Sequence, residues 1–330
     1  MKLGPLSPTL QTLYSELVQQ LETAPAAGSV YRRTLEGVEY VYAKLPVGIT
    51  RVDRFLGRAN DPEVEQAAEA LRRGTAAAAD RRRLVSMLRR QGLAGPDRTM
   101  GAILDALAWA GLFKAGAVLV GTAAYGLSEP LAGTRLPAPS LMTADVDLAT
   151  ANLALRSEPP ERFEAILRRA DPTFEGVPQL KPLAPPSRFR NAQGYLVDLV
   201  APIRKRSDQN PVPLEDLRAG AAPLQHLAWL IEAPVQVAAL WGAGILVDVP
   251  QPARFAVHKL ILAQKRDAGS RVKRAKDLAQ ATAMLDALRQ NDPFALSDAL
   301  TDASARGAKG WAEPIERSLR EIDRQDLMSF

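Results

Sequence analysis

The sequence predicts an α+β protein: a sheet flanked by helices, with a small helix-plus-β unit before it and a helical part after it. Three observations carry this. Apolar residues recur at helical spacing near both ends of the chain, strand-like runs cluster in two separate stretches, and one apolar run, Leu141-Met-Thr-Ala-Asp-Val-Asp-Leu-Ala149, carries two carboxylates one residue apart.

The elements follow in order. Leu10, Leu13, Leu17 and Leu21 lie at helical spacing behind Ser7-Pro8, which predicts an amphipathic helix over residues 8 to 23. Val30 to Leu35 and Glu39 to Lys44 read as strands around the turn Glu36-Gly37, with Arg51 to Leu56 as a third. Asp61-Pro62 then opens a long Ala-, Glu- and Arg-rich helical region to about Gln91. A helix from Arg98 to Gly111 precedes the β-favouring run Gly116-Ala-Val-Leu-Val-Gly121, and another is expected from Pro160 to Ala170. Ser187 to Arg190 and Tyr195 to Val200 flank the turn-forming Asn191-Ala-Gln-Gly194, a β-hairpin with a four-residue loop. Arg204 to Pro213 is polar and punctuated by proline, and marks the expected boundary to the last part. There, Pro252 sits in the first turn of a helix to Arg266, and a helix from about Val272 buries Leu278, Ala281, Leu285 and Leu288. The expected units are thus 1–60, 61–97 (a helical connector), 98–213 and 214–330.

Composition bounds the chemistry. At 330 residues, with 47% hydrophobic and 24% charged side chains, the chain is an ordinary globular protein large enough for two or three domains. No uninterrupted apolar stretch is long enough to span a bilayer, and the start Met-Lys-Leu-Gly-Pro-Leu-Ser-Pro lacks the apolar core of a signal peptide, so the expected location is cytoplasmic, without a membrane partner. With no cysteine and only His226 and His258, thiol catalysis, disulfides and Cys/His zinc sites are excluded. The net charge of +5 gathers in clusters, among them Arg81 to Arg83, Arg204 to Arg206 and the run Lys265 to Lys276, which suit phosphates or form solvated helix faces.

In a strand Asp145 and Asp147 point the same way, with Val146 and Leu148 turned to the core. Two parallel anions repel, and a divalent cation on hard oxygen ligands, Mg²⁺ or Mn²⁺, is the expected answer. Asp198, mid-strand between Val197 and Leu199, reads alone as a solvent-facing acid and beside the first two as a third metal ligand.

Val120-Gly-Thr122 closing an apolar run, then Asp145-Val-Asp147, then Asp198 on a later strand, resembles the polymerase-β-like nucleotidyltransferase superfamily. The resemblance is closest to a bacterial branch whose acceptor is not defined, which also carries segments like Tyr31 to Tyr42, Arg54-Phe-Leu-Gly57, Ala253 to Lys259 and Lys276-Asp277. Thr122 stands where the superfamily has Gly or Ser, and Pro130, Gly133, Pro137 and Pro139 mark a longer loop before Asp145 than in compact members. The resemblance implies a polymerase-β-like catalytic sheet and a two-metal transfer of a nucleoside monophosphate from a nucleoside triphosphate such as ATP to an acceptor hydroxyl on an RNA end, a protein or a small molecule. Asp145, Asp147 and Asp198 would hold the metals, Gly121 and Thr122 would face the triphosphate, and Lys259, Arg266 and Lys276 would neutralise its phosphates. The plainer alternative makes Lys259 a core-edge lysine and Lys276-Asp277 a helix-surface pair. Other readings are a non-catalytic nucleotide- or nucleic-acid-binding regulator, or a toxin-like enzyme with a neutralising partner.

In the first unit Tyr31, Tyr40 and Tyr42 interleave with Arg32, Arg33, Lys44, Arg51 and Arg54. That mixture suits a phosphate-bearing polymer, RNA before protein, or is an ordinary hairpin surface.

Overall fold

The structure is a computed structural model and describes residues 4–137, 145–151, 161–179, 184–203 and 210–328. It opens with α1 (Pro8–Glu22), started by Ser7, whose hydroxyl accepts from the Leu10 N–H at 3.3 Å. Its apolar stripe, Leu10, Tyr14 and Leu17, packs with Val85, Leu88, Ala238 and Leu240. An antiparallel meander follows: β1 (Ser29–Leu35), β2 (Val38–Val47) and β3 (Thr50–Arg58). Both residues of the first turn, Glu36 and Gly37, have positive φ, as a tight two-residue hairpin requires. Val30, Val41 and Leu56 pack with Val64 and Ala68, the latter two on α2 (Pro62–Arg90), which Asp61 caps. Asp97 then caps α3 (Arg98–Trp109).

The central sheet is built from β4 (Val118–Val120), β5 (Asp145–Ala149), β6 (Glu175–Gly176), β7 (Arg188–Arg190), β8 (Leu196–Pro202), β9 (Val212–Leu214) and β10 (Ala219–Leu224). Between β4 and β5 lie α4 (Gly121–Gly126) and α5 (Glu129–Ala132), and α6 (Phe163–Arg168) follows β5. β5 lies antiparallel to β4 and parallel to β8. The other edge of β8 is shared, its first half pairing β7 and its second half β10. Val146, Leu148, Val197 and Leu199 point into one core with Ile103, Leu104 and Leu107 of α3 and Phe163 and Leu167 of α6. Phe163 meets Phe189 edge-on at 5.0 Å, a contact worth about 1 kcal/mol beyond the area it buries.

After α7 (Leu227–Leu230) and the ribbon of β11 (Val235–Ala239) and β12 (Ile245–Val249) come the helices α8 (Pro252–Lys265), α9 (Arg271–Asn291), α10 (Pro293–Ala305) and α11 (Glu313–Glu321). Their core includes Tyr125 of α4 and Ala132 of α5, and the Tyr125 and Phe255 rings stack at 5.9 Å. The helical part is thereby packed onto the element that leaves β4.

The α+β architecture with helices around a mixed sheet is the one the sequence predicts. Three details differ. The connection between β7 and β8 is five residues long, 191 to 195, because Asn191 closes the turn on Tyr195 twice: its N–H donates to the Tyr195 carbonyl at 3.1 Å and its Oδ1 accepts from the Tyr195 N–H at 2.7 Å. The sheet also continues past Pro213, since β10 completes the edge of β8 and, apart from the single turn of α7, the helices begin only at Pro252. The helix expected from Pro160 is formed over Phe163–Arg168, Pro160 itself lying outside the described residues, as do the basic residues 204 to 206. Among the described residues no helix is long and apolar enough to cross a membrane.

Candidate active site

The carboxylates are positioned by strand register. Val120, the last residue of β4, lies opposite Asp147 on β5, and Asp147 lies beside Asp198 on the parallel β8. Residues paired across neighbouring strands share a face, so Asp145, Asp147 and Asp198 stand on one side of the sheet while the residues between them fill the core. At Gly121 the chain turns with φ +69°, and a Cβ there would lie 2.3 Å from the Asp147 Oδ2. Glycine is therefore required twice, by the left-handed backbone and by the carboxylate pressed against it.

These residues face α8 and α9 across a cleft of about 600 Å³. Gly121, Thr122, Asp145, Asp147 and Asp198 line one wall, and Lys259, Arg266, Lys273 and Lys276 the other. All eight residues singled out in the sequence thus border one space. Their electrostatic states are not alike. Asp147 has its pKa raised from 3.8 to about 6, first by burial and then by the negative charges of Asp145 and Asp198, which Lys259 and Lys276 only partly offset. Asp198 is held by Arg188, Nε to Oδ1 at 2.7 Å and Nη2 to Oδ2 at 2.6 Å, a bidentate pair that raises the guanidinium pKa.

Lys259 is buried, its ammonium donating to Asp277 Oδ1 at 2.7 Å, and Arg266 donates to Asp277 Oδ2 through Nε and Nη2, each at 2.9 Å. Asp277 has no exposed surface. The helix-surface pair considered for Lys276-Asp277 is thus not formed: Asp277 is an interior anion shared by two cations, and neither Lys259 nor Arg266 stands as a solvated basic face. Lys276 is half-buried, outside every ion pair among the described residues, and has its pKa lowered by burial and by Lys259, with Asp145 acting the other way. His258 is buried and its pKa pushed down to about 3 by desolvation, then by Lys259, so it is neutral at physiological pH.

For a hard divalent ion the open donors are Asp145 and Asp147, and such an ion would relieve the part of the Asp147 pKa rise that, after burial, comes from the neighbouring carboxylates. Among the described residues no three histidine, aspartate or glutamate side chains are arranged to hold an ion, and Asp198 has both oxygens turned to Arg188. The pair on β5 fits the ion; Asp198 joins it only by releasing Arg188. Thr122 and Asp145 also border a second, mostly apolar cavity of about 220 Å³ beside Asp97, Tyr125 and Tyr195.

A family model described as nucleotidyltransferase matches residues 98–305, from the start of α3 to the end of α10. The chain belongs to this nucleotidyltransferase family. The match takes in every element that borders the cleft, from β4 to α9, and leaves out α1, the meander and α2. No curated protein and no solved structure matches the chain.

Two residues that bear on the site carried no role in the sequence reading. Asp277 had a signal, its place directly after Lys276 at the end of the basic run. Alternation sets Arg188 and Arg190 on one face of the hairpin, but the pairing of Arg188 had no signal, because a four-residue hairpin loop sets Asp198 opposite Ser187, whereas the five-residue loop sets it opposite Arg188.

Proposed function

We propose that the protein transfers a nucleoside monophosphate from a nucleoside triphosphate to an acceptor hydroxyl, using Mg²⁺ or Mn²⁺ at Asp145, Asp147 and Asp198. The observation that carries this reading is the register that sets Asp147 between the Gly121 turn and Asp198, with Asp145 on the same face. Divalent ions, when bound, lower the acceptor hydroxyl's pKa and neutralise charge on the α-phosphate and the leaving oxygens. The residues of the chain do the rest. Gly121, lacking a side chain, and the Thr122 hydroxyl admit the phosphates against the turn. Lys276, Lys273 and, through Asp277, the Lys259–Arg266 pair set a positive wall against the β- and γ-phosphates. The acceptor oxygen attacks the α-phosphorus, the bond from that phosphorus to the bridging oxygen breaks, and pyrophosphate leaves. Asp198 takes the acceptor proton once Arg188 has shifted from its carboxylate to the incoming phosphates.

Incubation with each α-labelled nucleoside triphosphate, Mg²⁺ and total cell RNA or protein tests the reading: the wild type should label an acceptor and release pyrophosphate, EDTA should stop it, and Asp147→Asn should reduce it by several orders of magnitude. Full transfer by that variant would refute the mechanism. One observation favours a second reading, a binder without catalysis: the bidentate Arg188–Asp198 pair withholds the third carboxylate. Triphosphate binding with no pyrophosphate release under any acceptor would select it.

A further inference from the structure

The N-terminal meander has one packed face and one open face. Val30, Val41 and Leu56 close onto α2, so the residues alternating with them form the other side. Register sorts that side into rows across the strands. Tyr31, Tyr42 and Phe55 make one row, and Arg33, Tyr40 and Arg58 the next. Lys44 stands on the opposite flank of the aromatic row.

The rings form a ladder, with centroids 5.5 Å apart for Tyr31 and Tyr42, 5.3 Å for Tyr42 and Phe55, and 5.8 Å for Tyr40 and Phe55. The Lys44 ammonium lies 5.3 Å from the Tyr31 ring. Phe55 is 57% exposed, and Arg33, Lys44 and Arg58 are exposed and outside every ion pair among the described residues. The contrast with Arg32 is informative. It points to the α2 side and is paired with Glu39 and Glu65, whereas on the ring face the one carboxylate in these rows, Asp53 opposite Lys44, is turned to the Tyr31 hydroxyl.

A face of stackable rings with Arg33 and Arg58 on one side and Lys44, beside Asp53, on the other matches a ligand that offers unstacked planar rings and a line of negative charges. A duplex keeps its bases stacked inward, and a lipid surface offers phosphates but no rings. We propose that this face binds single-stranded nucleic acid and, resting on the transfer activity proposed above, presents it as the acceptor. The meander is fixed to the family-matched part rather than hung from it: the Gly48 N–H donates to Asp105 of α3 at 2.7 Å, and the Ile49 N–H donates to the Arg169 carbonyl at 3.2 Å.

The test uses the full chain and a fluorescein-labelled single-stranded RNA of mixed sequence, about 12 nucleotides long, within the span such surfaces cover. Anisotropy should report binding that weakens steeply with salt. Phe55→Ala should weaken it on the order of 10-fold, Phe55→Trp should restore it, and Arg33→Ala should lower the salt slope by about one. Arg72→Ala, on the outer surface of α2, should leave it unchanged, and circular dichroism should be the same for all. Asp147→Asn should bind the RNA like the wild type, so loss of transfer and loss of strand binding are read separately. Equal affinity for the same sequence as a duplex, indifference to Phe55→Ala and Arg33→Ala, or binding of anionic lipid vesicles without binding of RNA would overturn the proposal.

Discussion

Replacing Asp147 with asparagine should make the metal-free protein more stable while removing its activity. Asp147 is half-buried beside two further carboxylates, and its pKa rises from 3.8 to about 6. A carboxyl whose folded pKa lies above its unfolded value is penalised in its ionised form, so the cost is fully present above pH about 6 and gone below the unfolded value. A rise of that size corresponds to about 3 kcal/mol as an upper figure. Asparagine keeps the shape and drops the charge.

Urea unfolding in EDTA at about pH 8 should therefore show the variant more stable than the wild type by about 2–3 kcal/mol, a gain that shrinks toward zero near pH 4 as the wild-type carboxyl takes up its proton. Magnesium should stabilise the wild type at about pH 8 and the variant much less, because the ion relieves the repulsion that the substitution has already removed. A variant no more stable than the wild type in EDTA at about pH 8, or a gain of the same size at both pH values, would refute the argument that unbalanced charge resides at Asp147.

Three further outcomes follow from the geometry. Gly121→Ala should cost roughly 1–2 kcal/mol for the left-handed backbone alone and should lose far more turnover than that, since its Cβ lies 2.3 Å from the Asp147 carboxylate; denaturation and pyrophosphate release, measured together, check both. Asp277→Ala should destabilise the fold by about 3–5 kcal/mol, because it leaves buried Lys259 without its anion, whereas Asp326→Ala, whose ion pair with Arg289 is exposed, should change stability by less than about 1 kcal/mol. Lys276→Ala should leave stability nearly unchanged and weaken triphosphate binding on the order of 10-fold, as isothermal titration with a non-hydrolysable triphosphate would read.

Much of the fold was legible because its boundaries are written in local chemistry. Ser7-Pro8 and Asp61-Pro62 start α1 and α2, Asp97 caps α3, and Glu36-Gly37 turns the first hairpin, each a signal that acts within a few residues of itself. The facing of Asp145 and Asp147 was legible for the same reason, since alternation along a strand needs no tertiary information. Partners were not. One residue more in the loop after Arg190 changes which side chain faces Asp198, and a turn closed by the Asn191 side chain looks in sequence like a turn without it. Lys259 and Asp277 lie on different helices, and only the packing of α8 on α9 shows that the lysine, offered by spacing as a free cation, is already paired.

That pairing pattern bears on how the cleft works. Of its charged side chains, Asp198 is matched by Arg188, and Asp277 by Lys259 and Arg266, while Asp145 and Asp147 have no direct cationic partner and Lys276 no anionic one among the described residues. A nucleoside triphosphate arriving alone would bring about four negative charges toward two unmatched carboxylates, at a cost that half-buried Lys276 and exposed Lys273 do not offset. A divalent ion arriving alone would find Asp145 and Asp147 but not Asp198, whose oxygens stay with Arg188. Arriving together, the ion meets the carboxylates and the phosphates offer Arg188 a second anion, so the exchange that frees Asp198 becomes favourable only when both are present. On the function proposed above, metal and nucleotide would each raise the affinity of the other, by an equal factor in both directions, and the part of the Asp147 pKa rise owed to Asp145 and Asp198, after burial, is the mark of that unmatched state.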